Sequence, residues 1–222
     1  MQTKPDSLSE MRKSYEKATL SRSEAAKNPN DQFQIWLDQA VQAPEIYEAN
    51  AMVVATASKE AIPSTRIVLL KAFDEVGFVF YTNYNSKKGH ELIQNPKLAL
   101  LFYWGALHRQ IRIEGVCEKI SPEQSTKYFH SRPKGSQIGA LTSEQSKEIE
   151  SRSILEDKKL ELEQLYENVD KIPRPDHWGG FIVKPNYFEF WQGRSSRLHD
   201  RIIYKLNDGL DDQKWDIARL AP

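Results

Sequence analysis

The chain of 222 residues contains a single cysteine, Cys117, which excludes an intramolecular disulfide and a cysteine-built zinc site. Cys117 lies in an apolar-alternating run, 109–120, and reads as a small strand residue rather than a nucleophile, since free cysteine is commonly buried. Net charge is missing as well: 31 basic and 31 acidic residues cancel. No global field then favours nucleic acid or an anionic membrane, and any anion site has to be a local cluster. No stretch approaches the ~20 apolar residues of a membrane span. The first residues, MQTKPDSLSEMRKSYEK, lack the apolar core of a signal peptide, so a cytoplasmic protein is expected. There is no GxGxxG, no Walker loop and no GxSxG elbow. The five histidines, at 90, 108, 130, 177 and 199, show no ligand spacing, so no metal site is expected.

What is present organises into a polar start and a strand-rich body. Residues 1–30 are polar and charged and close on Lys27-Asn28-Pro29-Asn30. They are expected to form a flexible arm with a short helix around Leu8–Ala18, leaving 31–222 as a single domain. Asp31 is placed to cap a helix whose apolar face is Phe33, Ile35, Trp36, Leu37, Ala40 and Val41. Short runs rich in Val, Ile, Phe and Tyr follow at Met52–Ala57, Arg66–Phe73, Val76–Thr82, Leu98–Trp104 and Arg109–Ile120. Further runs lie at Gly180–Lys184, Tyr187–Trp191, Arg201–Leu206 and Trp215–Leu220. Helices are expected at 87–94, at 122–130, where Ser121-Pro122-Glu123 supplies a cap, a first-turn proline and an acid, and at 144–168. Many strands, few helices and no βαβ alternation predict a mainly β fold with peripheral helices, and argue against a doubly wound sheet.

Four segments carry candidate chemistry. In Ser86-Lys87-Lys88-Gly89-His90, Ser86 suits an N-cap, which puts two lysines at the end of the helix dipole that disfavours cations. A bound anion would remove the conflict; a solvated charged face is the other reading. In Arg66-Ile67-Val68-Leu69-Leu70-Lys71, alternate residues share a face. So apolar a run is expected to be buried over much of both faces, so its end cations need a carboxylate or a ligand phosphate. In the run from Tyr128 to Gln137, Pro133 favours extended geometry at Arg132 and suits the first position of a new helix. Arg132, Tyr128 and Ser136 then supply the parts of a phosphate pocket, although a plain helix corner would look the same. Finally, Trp191, Arg194, Arg197, His199 and Arg201 crowd one loop with a single acid, Asp200. Cations beside aromatics suit a flat anionic ligand. Nucleic acid would use the same parts, but no wider basic stripe accompanies them.

Together these segments resemble the pyridoxine/pyridoxamine 5′-phosphate oxidase family from about residue 10 onward. The resemblance rests on RIVLLK (66–71), FYTN (80–83), RQIRIEG (109–115), YFHSRPKGSQIGA (128–140), EQS (144–146), WGGF (178–181), FWQG (190–193), RLHDR (197–201) and RLAP (219–222). Any one alone is weak, whereas their joint order and spacing are specific. The resemblance implies an FMN-binding split β-barrel that forms a homodimer with flavin sites at the interface. It places Arg66, Ile67, Val68, Leu69, Lys71, Tyr81, Thr82, Lys87, Lys88, Gln110, Gln145, Ser146, Trp191 and Arg201 at the flavin. Lys71, Tyr128, Arg132 and Ser136 match residues that hold the substrate phosphate, and Arg197 and His199 match the catalytic pair over the substrate ring. Many members carry Arg where this chain has Lys87; the charge is kept but the planar fork is lost, so Lys88 is the stronger expectation. Arg12-Lys13-Ser14-Tyr15 loosely resembles a basic-aromatic segment that closes over the site in relatives.

The implied reaction is oxidation of pyridoxine or pyridoxamine 5′-phosphate by dioxygen to pyridoxal 5′-phosphate and hydrogen peroxide, with ammonia from the amine. The flavin carries the redox step and the protein binds and aligns. His199 would either orient the C4′ substituent or accept its proton. A different enzyme of the same barrel, a non-catalytic flavin or vitamer carrier and a nucleic-acid-binding barrel are the rival readings. No nucleic acid or membrane partner is expected.

Overall fold

The computed structural model describes Ser7, Ser14, Tyr15, residues 17–207 and residues 214–222. In chain order the elements are α1 (Pro29–Gln42), β1 (Ala51–Ala57), β2 (Pro63–Leu69), β3 (Ala72–Phe73), β4 (Phe78–Asn83), α2 (Lys87–Gln94), β5 (Lys97–Trp104), β6 (Arg109–Lys119), α3 (Pro122–Ser131), α4 (Lys134–Thr142), α5 (Ser153–Leu165), β7 (Trp178–Gln192), β8 (Asp200–Asn207) and β9 (Lys214–Leu220). None of the helices is long and apolar enough to cross a membrane. Most of the expected Leu8–Ala18 helix lies outside the described residues; Ser14, Tyr15, Lys17 and Ala18 are not helical.

The chain divides into two compact units. The first comprises Met1–Ala49, Phe102–Ile113 and Tyr187–Pro222, and the second Asn50–Leu101 and Glu114–Asn186.

In the first unit α1 begins earlier than the sequence suggests. Asn28, not Asp31, is the N-cap, accepting the Asn30 N–H at 2.9 Å, and Pro29 takes the first helical position. Proline there gives up an N–H that the helix would not have used, which moves the start ahead of Asp31. The buried face is Phe33, Trp36 and Ala40, spaced as one helical stripe. Phe33 packs edge-on to Phe102 at 5.1 Å, and Trp36 edge-on to Phe190 at 5.3 Å. From Tyr187 onward β7 pairs antiparallel with β8, from Tyr187↔Lys205 to Gln192↔Asp200, and β8 pairs with β9.

In the second unit the strand order is β2–β1–β5–β6–β7–β4–β3. Alternation decides its core: Met52, Val54 and Thr56 of β1 and Phe78, Phe80 and Thr82 of β4 are buried while Val53, Ala55, Val79 and Tyr81 between them are less so, as a half-covered sheet requires. The expected strand Arg66–Phe73 is broken at Leu70–Lys71, because the chain changes partners. Leu70 N–H bonds to Asn50 and Lys71 N–H to Val79 across from the next strand. Nor is the run covered on both faces: β2 lies at the end of the strand order, and Ile67 is 71% exposed.

Two other expectations change for related reasons. The runs on either side of Pro185 form one strand, β7. Its pairing with β4 ends at Val183 and that with β8 starts at Tyr187, so the proline falls in the gap between these two ladders, where it interrupts neither. The helix expected over 144–168 is confined to Ser153–Leu165. Ser146 has φ 76°, a left-handed conformation that no α-helix can pass through.

Candidate functional site

The second unit carries a cleft of about 940 Å³ lined by β2, β4, the start of α2, the α3–α4 corner, the 143–146 segment and Trp178. It brings together Arg66, Ile67, Val68, Leu69, Lys71, Tyr81, Thr82, Lys87, Lys88, Tyr128, Arg132, Ser136, Gln145 and Ser146. These residues come from five separate stretches of sequence, so the fold gathers them.

Helix α2 supplies the lysines. Ser86 caps it, its hydroxyl accepting the Gly89 N–H at 3.3 Å. The helix can lie this close because position 89 has no side chain: a Cβ there would stand 2.1 Å from the Tyr84 carbonyl oxygen. Lys87 is exposed and its Nζ is 4.0 Å from Glu91. Lys88 is buried, and its Nζ donates to Thr82 Oγ1 and Gln145 Oε1, both at 2.8 Å. No carboxylate among the described residues pairs with it. Burial, and then the neighbouring charge of Arg66, pull its pKa down to about 8, because a desolvated ammonium without a counter-ion is disfavoured. Such a group gains most from an anion placed beside it.

Arg66 enters from β2. Its Nη1 donates to Thr56 Oγ1 at 2.5 Å and its Nη2 to Ser64 Oγ at 2.6 Å, with Glu91 Oε2 at 3.4 Å.

The α3–α4 corner brings a further cation, Arg132. α3 is closed at its start by a capping box between Ser121 and Gln124, as Ser121-Pro122 suggests. Arg132 ends α3 in extended geometry (φ −78°, ψ 149°), the conformation its following proline favours. The new helix begins one residue later than expected: Pro133 is its cap position and Lys134 its first residue. The Arg132 guanidinium lies 4.6 Å over the Trp178 ring, and Nη1 is buried with no hydrogen-bond partner among the described residues. Burial lowers its pKa. Beside it Tyr128 stacks on Tyr81 at 3.7 Å, and Tyr81 on Trp178 at 5.5 Å, forming a flat aromatic wall. A buried donor left unmatched costs free energy comparable to a lost hydrogen bond. Together with the unpaired lysine it fits a cleft that holds phosphate, and the aromatic wall fits planar rings. These features suit FMN and a phosphorylated heterocycle.

Gln110, Trp191, Arg197, His199 and Arg201 belong to the first unit and do not line this cleft. Gln110 is half-buried on β6. Arg201 is committed to buried Glu189, Nε to Oε1 at 2.7 Å, and to the Ala221 carbonyl. Trp191 and His199 are 4.6 Å apart, with Tyr15 beside both at 6.0 and 5.8 Å. Ser196 and exposed Arg197 both have positive φ, 55° and 62°. The Arg194 N–H donates to His199 Nδ1 at 3.0 Å. Arg194 itself, a cation of this loop to which the family resemblance assigns no role, pairs with Asp200 at 3.0 Å. Asp200 also binds Arg219 at 2.6 Å and the Leu20 N–H at 3.1 Å, so it ties the loop to two distant segments. Burial, then the Arg197 charge, lower the pKa of His199.

Sequence reasoning gave no site role to Asn83, Gly139, Ser143 or Trp178, which also line the cleft. Trp178 had a signal in the WGGF motif. Glu91, behind Arg66, had only its four-residue spacing from Lys87.

Comparison with known proteins gives a consistent set of matches. Residues 37–166 match the family "Pyridoxamine 5′-phosphate oxidase", and residues 178–222 match "Pyridoxine 5′-phosphate oxidase C-terminal dimerisation region". The pyridoxine/pyridoxamine 5′-phosphate oxidase of Trichormus variabilis is 52% identical over 97% of this chain and 98% of its own length. The chloroplastic pyridoxine/pyridoxamine 5′-phosphate oxidase 1 of Arabidopsis thaliana is also 52% identical, and this chain spans 40% of that longer protein. Among solved structures, PhzG from Burkholderia lata 383, in complex with tetrahydrophenazine-1-carboxylic acid, superposes with a TM-score of 0.83 at 28% identity. That match covers 90% of this chain and 95% of the other. A pyridoxamine 5′-phosphate oxidase-related, FMN binding protein from Nostoc punctiforme shares the fold, with a TM-score of 0.69 at 16% identity, over 89% of this chain and all of its own. The mainly β split barrel that the sequence leads one to expect is the fold of these structures.

Proposed function

The chain belongs to the pyridoxamine 5′-phosphate oxidase family of oxidoreductases, and on that premise we propose that it converts pyridoxine or pyridoxamine 5′-phosphate to pyridoxal 5′-phosphate, with FMN as cofactor and dioxygen as acceptor. The observation that carries this reading is the pair of uncompensated buried cationic groups in one cleft, Lys88 Nζ and Arg132 Nη1. Two phosphates, one on the cofactor and one on the substrate, answer them.

FMN, when bound, would supply the redox chemistry, a two-electron oxidation of the substrate carbon coupled to reduction of dioxygen to hydrogen peroxide. This chain's residues bind and align. Lys88, Arg66 and Lys87, with Gln145 and Ser146, hold the flavin phosphate, while Ile67, Val68, Leu69, Tyr81 and Thr82 line its path. Lys71, Tyr128, Arg132 and Ser136 hold the substrate phosphate; that anchoring fixes the ring and makes the transfer effectively intramolecular. Gln110, Trp191 and Arg201 are further flavin contacts, and Arg197 covers the substrate ring. The Arg194 N–H on Nδ1 leaves the proton of the neutral His199 ring on Nε2, and the lowered pKa favours that neutral form. His199 therefore orients the C4′ substituent as a hydrogen-bond donor and does not take its proton. The match of residues 178–222 to a dimerisation region supports a homodimer, and the family resemblance would put the flavin sites at its interface.

An oxygen electrode tests the reaction. With FMN supplied, pyridoxine 5′-phosphate should draw down oxygen and yield peroxide and aldehyde in equal amounts, and phosphate-free pyridoxine should be a far poorer substrate. No oxygen uptake with either phosphorylated vitamer would overturn the proposal.

A further inference from the structure

We propose that Glu91 is a positioning residue for the cofactor phosphate: through the hydroxyls of Thr56 and Ser64 it locks the Arg66 guanidinium into one orientation facing the cleft. This inference rests on the assignment of that cleft to FMN.

Glu91 lies on α2, one turn after Lys87, with its side chain 7% exposed. It does not line the cleft itself. Its Oε2 accepts from Thr56 Oγ1 at 2.5 Å and from Ser64 Oγ at 2.7 Å, with Oε1 at 2.9 Å from the same serine. Each hydroxyl has one proton to give, and here both protons point to the carboxylate. The lone pairs of the same oxygens accept from Arg66, Nη1 to Thr56 at 2.5 Å and Nη2 to Ser64 at 2.6 Å. Nη1 also reaches the carbonyls of Val54 at 3.3 Å and Ser64 at 3.2 Å. The result is a directional relay, guanidinium to hydroxyls to carboxylate, in which every bond is charge-assisted and each hydroxyl makes one short bond to Oε2. The Arg66 Nε–H makes no hydrogen bond among the described residues and remains for a ligand. Burial alone would raise the pKa of Glu91, but the two hydroxyls and the charges of Arg66 and Lys87 outweigh it and hold the carboxyl low. The anion at the base of the relay is therefore permanent at neutral pH.

The placement is otherwise paradoxical. A carboxylate behind an anion-binding cluster repels the phosphate, so charge alone predicts that removing it tightens binding. Positioning predicts the opposite, because an unanchored Arg66 must be ordered each time the ligand binds, and loses part of its hydrogen bonding as well. The two accounts differ in sign.

The test is Glu91→Gln in the full chain, titrated with FMN and with riboflavin by quenching of flavin fluorescence. FMN affinity should fall at least tenfold while riboflavin affinity stays as in the wild type, since only the phosphate meets Arg66. Unchanged or tighter FMN binding, or parallel loss of both flavins, would overturn the proposal. If Glu91→Gln does not fold, Thr56→Val should show the same FMN-selective loss and Thr56→Ser should restore it; equal behaviour of the two would also refute the relay. A wild-type protein that binds riboflavin as tightly as FMN would instead refute the assignment of the cleft.

Discussion

Raising the pH from 7 to 9.5 is expected to weaken FMN binding about thirtyfold, and to do so through Lys88. The residue is 8% exposed, its amine held on a hydroxyl and an amide oxygen, with its pKa lowered to about 8 by burial and by Arg66. A phosphate placed against Nζ favours the charged form and returns the pKa toward its ordinary value of about 10.4. Between those two values binding takes up a proton, and affinity falls by up to about tenfold per pH unit. Lys88 is roughly nine-tenths charged at pH 7 and about three per cent charged at pH 9.5, which gives the thirtyfold ratio. Stability runs the other way. A lysine with a depressed folded pKa destabilises the empty fold while charged, below about 8; that penalty fades as pH rises toward the unfolded value. The assay is an FMN titration by fluorescence quenching at several pH values, with Lys88→Met as the control. The control should bind weakly and show little pH dependence over this range. A flat wild-type profile, or an equal slope in Lys88→Met, would refute the reasoning.

Two further substitutions probe the substrate side. Arg132→Ala should raise KM for the phosphorylated substrate about 10–100-fold, the range of a hydrogen bond to a charged group. Its Tm should fall only slightly, because the side chain gives up its contact with the Trp178 ring but no hydrogen bond through Nη1; an unchanged KM would remove Arg132 from the phosphate site. His199→Gln keeps an N–H donor where the neutral ring carries its proton on Nε2, so kcat should stay within about tenfold of the wild type. A fall of about 10²–10⁴-fold, the range of a lost general base, would show that His199 takes the proton after all.

Local rules made much of this molecule readable. Ser86 and Ser121 cap the helices that their flanking residues announce, and β1, β4 and β5 follow the period-two pattern of half-buried strands. Residues from each of the RIVLLK, FYTN, YFHSRPKGS and EQS motifs meet in one cleft. What stayed hidden depends on partners far along the chain. Strand breaks at Leu70–Lys71 and the continuity through Pro185 follow from changes of pairing partner, which no local signal carries. The start of α1 was misplaced for a local reason, the competing cap at Asn28. Glu91 reads as a surface helix residue, because its ties to Thr56 and Ser64 span 35 and 27 positions. The tie of Arg194 to Asp200 was hidden in the same way, since Asp200 is held by Leu20 and Arg219 as well. The division into two units, each assembled from separated stretches, left no mark in composition.

The central claim is that the cleft of the second unit holds a flavin that a phosphorylated vitamer reduces. Its most direct test is the absorption spectrum of the purified, FMN-supplied protein mixed with pyridoxine 5′-phosphate without oxygen. The account predicts a yellow protein that bleaches on mixing and regains its colour when air is admitted. A protein that stays colourless after FMN is supplied, or one whose yellow colour is unmoved by either phosphorylated vitamer, would contradict it.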